Sequence, residues 1–128
     1  MTPEMVTLDC ADPRSLAKFW VEAAGYEVMH DFDGEYLVLK PASGASGGDA
    51  SPDAAPAPPR GLALGLQKVA EPRIGKNRAH LDWRTGDRPA EVARLVALGA
   101  TVLAEREMPG FGWTVMADPE GNEFCVGG

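Results

Sequence analysis

Three ionisable side chains alternate along one short stretch, His80, Asp82 and Arg84 in "HLDWR". Successive side chains of an extended strand point to opposite faces, so these three share one stripe while Leu81 and Trp83 take the other. An imidazole that titrates near neutrality, two residues from a carboxylate, suits acid–base work, with Asp82 orienting or recharging His80. A thiol joins them from the closing stretch "WTVMADPEGNEFCVGG", where Cys125 alternates away from Phe124 and Val126 and falls on a polar face with Glu123. If His80 or Arg84 depressed its pKa, Cys125 would be a nucleophile; alongside His80 it would be a zinc donor. Trp113 could stack on a planar ligand, although a tryptophan is more often a packing residue. The plainer reading of His80 is structural or ligand-contacting, because no nucleophile adjoins it in the sequence.

The elements that must position these groups follow from turn and cap signals. In "DPEGNEF" Asp118 can accept a backbone hydrogen bond, Pro119 fixes φ and Gly121 tolerates a left-handed conformation, which predicts a hairpin with a three- to four-residue loop. Upstream the chain shows one pattern twice. The strand "MVTLDC" precedes a helix opened by Asp12 and Pro13 and closed by Gly25, then "YEVM", "EYLVLK" and "GLALGLQKV". The strand "AHLDWR" precedes a helix opened near Asp87, with Pro89 in its first turn, and closed by Gly99, then "ATVLAE", "WTVMAD" and "NEFCV". An Asp cap, an early proline and a terminal glycine mark both helices. Their apolar stripes are Leu16, Phe19, Trp20 and Ala23 in the first, and Val92, Leu95, Val96 and Leu98 in the second.

The fold class is therefore α+β, with two tandem β-α-β-β-β modules; if they pack side by side as curved mixed sheets, their polar stripes line a common cleft. One domain is expected over residues 1–128, with module one at 1–70, a flexible loop at 41–60 and module two at 78–128. The loop "PASGASGGDASPDAAPAPPR" lacks large apolar side chains and cannot bury enough surface to order itself. On the cleft side, the first strand contributes Met5, Thr7 and Asp9 and the fifth His80, Asp82 and Arg84. Val6, Leu8 and Cys10 turn towards the first helix. Asp9 and Asp82 against Arg84 suggest a polar or cationic ligand.

Charge and composition narrow the function classes. A net charge of −7, from 19 acidic and 12 basic residues, argues against nucleic acid and anionic membranes as partners. The local basic cluster is "RIGKNR", Arg73 to Arg78. No apolar run approaches a bilayer span and no signal peptide is visible, so a soluble cytoplasmic protein is expected. Two cysteines are too few for a disulfide framework, which predicts free thiols at Cys10 and Cys125 in a reducing compartment.

The paired modules, the "DPEGNEF" turn after a Trp-containing strand, and "NRAHLDWR" before an amphipathic helix ending in "LVALGA" resemble the vicinal oxygen chelate superfamily. That group includes glyoxalase I, extradiol dioxygenases, fosfomycin-resistance enzymes and bleomycin-binding proteins, and the chain looks most like its short bacterial glyoxalase-like domain proteins. The resemblance implies a divalent metal held by His, Glu or Gln, two from each module. At those positions this chain offers Met5, Gly65 with Gln67 nearest on the same face, His80, and Cys125 where a glutamate is usual. A thioether and a glycine do not replace hard donors, so no cofactor is expected; the alternative is a reduced zinc site of His80 and Cys125, with Asp82 or Gln67. The reading that follows is a metal-free small-molecule-binding protein, with Met5, Thr7, Asp9, Gln67, Arg84, Trp113 and Cys125 contacting the ligand. The alternative is a lyase, isomerase or dioxygenase that is metal-dependent or uses His80 and Asp82 as acid and base. By the same resemblance it is expected to be a homodimer.

Overall fold

A computed structural model describes residues 3–42 and 61–128, which fall into two compact units, Met1–Val69 and Ala70–Gly128. Of the expected loop, Pro41 ends a strand and residues 43–60 lie outside the described residues. Among the described residues no helix is long and apolar enough to cross a membrane, and both Cys10 and Cys125 are free thiols.

The first unit contains β1 (Met5–Cys10), α1 (Pro13–Ala24), β2 (Tyr26–Phe32), β3 (Tyr36–Pro41) and β4 (Ala63–Lys68). Its sheet runs β1-β4-β3-β2, with β1 parallel to β4 and the remaining pairs antiparallel. The helix starts where expected because the Asp12 carboxylate accepts the Ser15 N–H at 3.0 Å and Pro13 supplies a preset φ. It stops at Gly25, left-handed at φ 66°, whose N–H reaches the Val21 carbonyl. Leu16, Ala17, Phe19 and Trp20 are buried against Leu37, Leu39, Leu64 and Leu66, the alternate residues of β3 and β4. Each of the leucines and Phe19 stabilises the fold by roughly 1.5–3 kcal/mol through burial. β2 extends three residues past "YEVM" to a tight Asp33–Gly34 turn with φ of 54° and 74°, the all-positive geometry of an Asp-Gly hairpin.

The second unit repeats the plan with β5 (Leu81–Arg84), α2 (Arg88–Ala97), β6 (Thr101–Met108), β7 (Phe111–Ala117) and β8 (Glu123–Gly127), in the sheet order β5-β8-β7-β6. Asp87 caps α2 by accepting the Ala90 N–H at 3.0 Å, and Gly99 follows the helix at φ 110°. Leu95 is buried, but Val96 is 47% exposed, contrary to the stripe expected for it. At about 100° per residue, Val92 and Leu98 lie about 60° to either side of Leu95, whereas Val96 lies about 100° away and leaves the packed face. β5 is also shorter than "AHLDWR": Ala79 and His80 precede it.

Candidate functional site

Strand register builds a site on the face of the second sheet away from Phe124 and Val126. Asp82 pairs with Cys125 and Arg84 with Gly127 across β5 and β8; Cys125 pairs with Val115 and Gly127 with Trp113 across β8 and β7; Trp113 pairs with Arg106 across β7 and β6. Paired residues share a face, so the sheet presents one rung Asp82–Cys125–Val115 and a second rung Arg84–Gly127–Trp113–Arg106. Phe111, two residues before Trp113, takes the same face, and its ring lies near-parallel to the indole with centroids 5.7 Å apart. Gly127 makes room for it: a Cβ there would sit 2.9 Å from the Phe111 ring. These residues, with Lys76, His80, Met108 and Glu123, line a concavity of about 650 Å³.

At one end of this concavity stand the groups singled out from the sequence. His80 Nε2 lies 3.6 Å from Asp82 Oδ1, and the donor atoms of His80, Asp82 and Cys125 all fall within 4.8 Å of one another. Parity placed Cys125 correctly on this face, yet the face is not open there: Cys125 is only 6% exposed. Burial above all, and next the Asp82 carboxylate, hold its thiol above the usual thiol range. The depressed, nucleophilic thiol considered for this position is therefore corrected: at neutral pH Cys125 carries its proton. A raised thiol pKa contributes stability that is complete below the unfolded-state value and is lost as pH rises through the folded one. In a Cys10→Ser background, alkylation of Cys125 by iodoacetamide is expected to remain slow at pH 8 and to accelerate in Asp82→Asn. Equal rates in the two proteins would show that Asp82 does not act on the thiol.

The remaining predicted site residues lie in the first unit. Met5, Thr7 and Asp9 line one face of β1, paired with Ala63, Gly65 and Gln67 of β4, and Gln67 in turn pairs with Tyr36 of β3. Tyr36, which the sequence reading passed over, dominates this face. Its hydroxyl lies 3.3 Å from Thr7 Oγ1 and donates to Met5 Sδ at 3.5 Å. A Cβ on Gly65 would collide with the Tyr36 hydroxyl oxygen, so the tyrosine occupies the space a ligand-bearing side chain at position 65 would need. Met5 offers only a soft thioether and Gly65 no side-chain donor at all, with the Tyr36 ring standing where a ligand from position 65 would go, so the divalent site implied by the resemblance does not fit these residues.

The charge balance of the second-unit pocket also differs from the sequence expectation. Lys76 and Arg106 join Arg84 there, while the Glu123 carboxylate is committed to Arg73 at 2.9 Å. Lys76, Arg84 and Arg106 thus stand with Asp82 in this pocket, a more basic balance than the Asp9, Asp82 and Arg84 of the two opening strands, on which the expectation of a polar or cationic ligand rests. Arg106 was hidden because it lies in "ATVLAE" only if that strand is extended to Met108, as β6 is.

Two four-stranded mixed sheets, each with one helix, define the paired β-α-β-β-β architecture. The profile of the glyoxalase-like domain family matches residues 5–127, and the chain belongs to that family. No curated protein sequence matches it. Among solved structures, it is similar to a fosfomycin resistance protein from Listeria monocytogenes complexed with Mn(II) and 1S,2S-dihydroxypropylphosphonic acid (TM-score 0.71, 13% identity, covering 98% of this chain and 87% of that one). A glyoxalase/bleomycin resistance protein/dioxygenase family enzyme from Burkholderia phytofirmans PsJN gives a TM-score of 0.68 at 17% identity, covering 97% and 95% of the two chains. A glyoxalase-related enzyme from Fulvimarina pelagi gives 0.67 at 17% identity, covering 99% and 87%. At these identities the likeness is one of fold, and one scaffold hosts several chemistries.

Proposed function

We propose that this glyoxalase-like protein binds a small molecule in the pocket of its second module without the hard divalent ion used by metal-dependent relatives. The observation that carries this reading is Tyr36, packed over Gly65 and bonded to Met5, where a pair of metal donors would have to stand. The pocket itself has the usual makeup of a ligand site: apolar and aromatic walls with a few convergent polar groups. Its ligand contacts are Arg84, Trp113 and Cys125, with His80 and Asp82 at the polar end. Met5 and Thr7 enter the reading through their contacts with Tyr36 on the exposed face of module one, which Asp9 and Gln67 share.

A second reading rests on the His80, Asp82 and Cys125 cluster. Their donor atoms are close enough to be drawn onto one soft or borderline cation, for which thiolate and imidazole are suitable ligands. Without a cation, the same His80–Asp82 pair is the acid–base device of a lyase or isomerase.

Metal analysis and ligand screening separate the readings. Protein purified without chelators is expected to contain substoichiometric metal, and a thermal-shift screen of metabolites is expected to find a compound that raises Tm in the wild type but not in Trp113→Ala. A ligand at 100 times its Kd adds about 2.7 kcal/mol of stability. Stoichiometric bound metal that disappears in His80→Ala would overturn the metal-free reading in favour of the second.

A further inference from the structure

We infer that the second-module pocket selects a flat aromatic anion, its ring against Phe111 and Trp113 and its negative group held by Arg84 and Arg106. The inference rests on the proposed ligand-binding role of this pocket and adds the class of ligand. Register carries it first. In the rung Arg84–Gly127–Trp113–Arg106 an indole and a glycine stand between two arginines on one face of the sheet. With strands about 4.8 Å apart, the two arginines start about 14 Å from each other, and their long side chains can reach inwards over that rung.

The aromatic part follows from what the glycine permits. Because position 127 has no Cβ, the Phe111 ring lies against β8 and stacks near-parallel with Trp113, and Phe111, 45% exposed, leaves aromatic surface open to a further planar ring. Planar rings stack on such a surface in offset or edge-on arrangements. Guanidinium groups can stack on the same planar systems while pairing with carboxylates through a forked geometry.

The anionic part follows from unspent charge. Among the described residues neither Arg84 nor Lys76 makes an ion pair, and Arg106 donates only to the neighbouring Glu105 carbonyl. Glu123 is bound to Arg73, and Asp82 stands in the other rung beside His80. The Arg84–Trp113–Arg106 end is thus a positive, aromatic patch on a chain whose net charge is −7, the reverse of what surface charge alone would produce. A cationic ligand would meet two arginines there.

Nuclear magnetic resonance titrations of the full chain with three probes test the inference: 2-naphthoate, the 2-naphthylmethylammonium cation, and cyclohexanecarboxylate. 2-Naphthoate is expected to shift the Trp113 indole and the amides of β7 and β8, and to bind about tenfold or more tightly than either other probe. Loss of two charge-assisted contacts in Arg84→Gln/Arg106→Gln is expected to weaken it by about tenfold or more at unchanged Tm. Equal binding of the cation, or undiminished binding by the double variant, would overturn the anionic part; equal binding of the saturated acid would overturn the aromatic part. If 2-naphthoate fails but another screened compound shifts the same resonances, only the ligand class is wrong. A screen in which nothing perturbs this pocket would instead remove the binding role itself, and this inference with it.

Discussion

Trp20→Ala is expected to destabilise the protein by about 3–5 kcal/mol, the range for an aromatic truncated in a packed core. The ring is 2% exposed, meets Phe19 edge-on with centroids 5.1 Å apart, and sits on a helix that packs against β2, β3 and β4 together. Removing it leaves a void in the packed layer between α1 and the sheet, which adds to the lost transfer energy. Two of those strands, β3 and β4, carry Tyr36, Gly65 and Gln67 on their other face, so the placing of Tyr36 over Gly65 depends on this support. Val96→Ala on α2 is the comparison. Also apolar but 47% exposed, it is expected to change stability by no more than about 0.5 kcal/mol. Urea unfolding followed by circular dichroism measures both, and a loss below about 1 kcal/mol for Trp20→Ala would mean that α1 is not the keystone of its sheet.

The contrast between Trp20 and Val96 also shows what could be read without coordinates. Both helices were legible from their Asp caps, early prolines and closing glycines, because those signals act through local backbone chemistry within a few residues. The strand parity of Asp82, Arg84 and Cys125 was legible for the same reason: alternation is local. Val96 failed because "LVALGA" is apolar on too wide an arc, and only the tertiary contact decides which side is buried. The early end assigned to β2 overlooked "FDGE", whose Asp-Gly pair is itself a local hairpin signal, and that strand end was available to be found.

The site was legible in its parts and not in its assembly. His80, Asp82 and Cys125 come together because β5 and β8 pair in parallel with Asp82 opposite Cys125, a partnership between segments about forty residues apart that spacing alone does not reveal. Tyr36 was invisible as a site residue because its importance comes from leaning over Gly65, two strands being needed to create the contact. Lys76 and Arg106 were missed because pocket charge is a property of the assembled face. Attending only to the opening strands gave two aspartates against one arginine; the assembled rungs give the opposite sign.

Replacing Asp118 by alanine is expected to cost about 3 kcal/mol, and its effect should reach the pocket. Asp118 is 3% exposed, and its carboxylate gathers the turn between β7 and β8. Oδ1 accepts the backbone N–H groups of Glu120 at 3.0 Å and Asn122 at 2.9 Å, and Oδ2 accepts from the Asn122 side-chain amide at 3.2 Å. Hydrogen bonds to a charged acceptor contribute about 1.5–3 kcal/mol each, and shared partners make their sum less than additive. Alanine leaves part-buried donors without this acceptor, whereas Asp118→Asn keeps one carbonyl oxygen for the backbone pair and should lose about half as much. The backbone supports the same turn, through Asp118 N–H to the Asn122 carbonyl and Gly121 N–H to the Asp118 carbonyl, both 2.9 Å, with Gly121 at φ 87°. That loop fixes the register that sets Cys125 opposite Val115 and Gly127 opposite Trp113. A slip by one residue would send Cys125 to the helix side and Phe124 into the pocket. Hydrogen exchange at the Cys125 and Gly127 amides should therefore accelerate in Asp118→Ala, together with weaker ligand binding. A destabilised variant in which those two amides stay as protected as in the wild type would show that the strands hold their register without the turn.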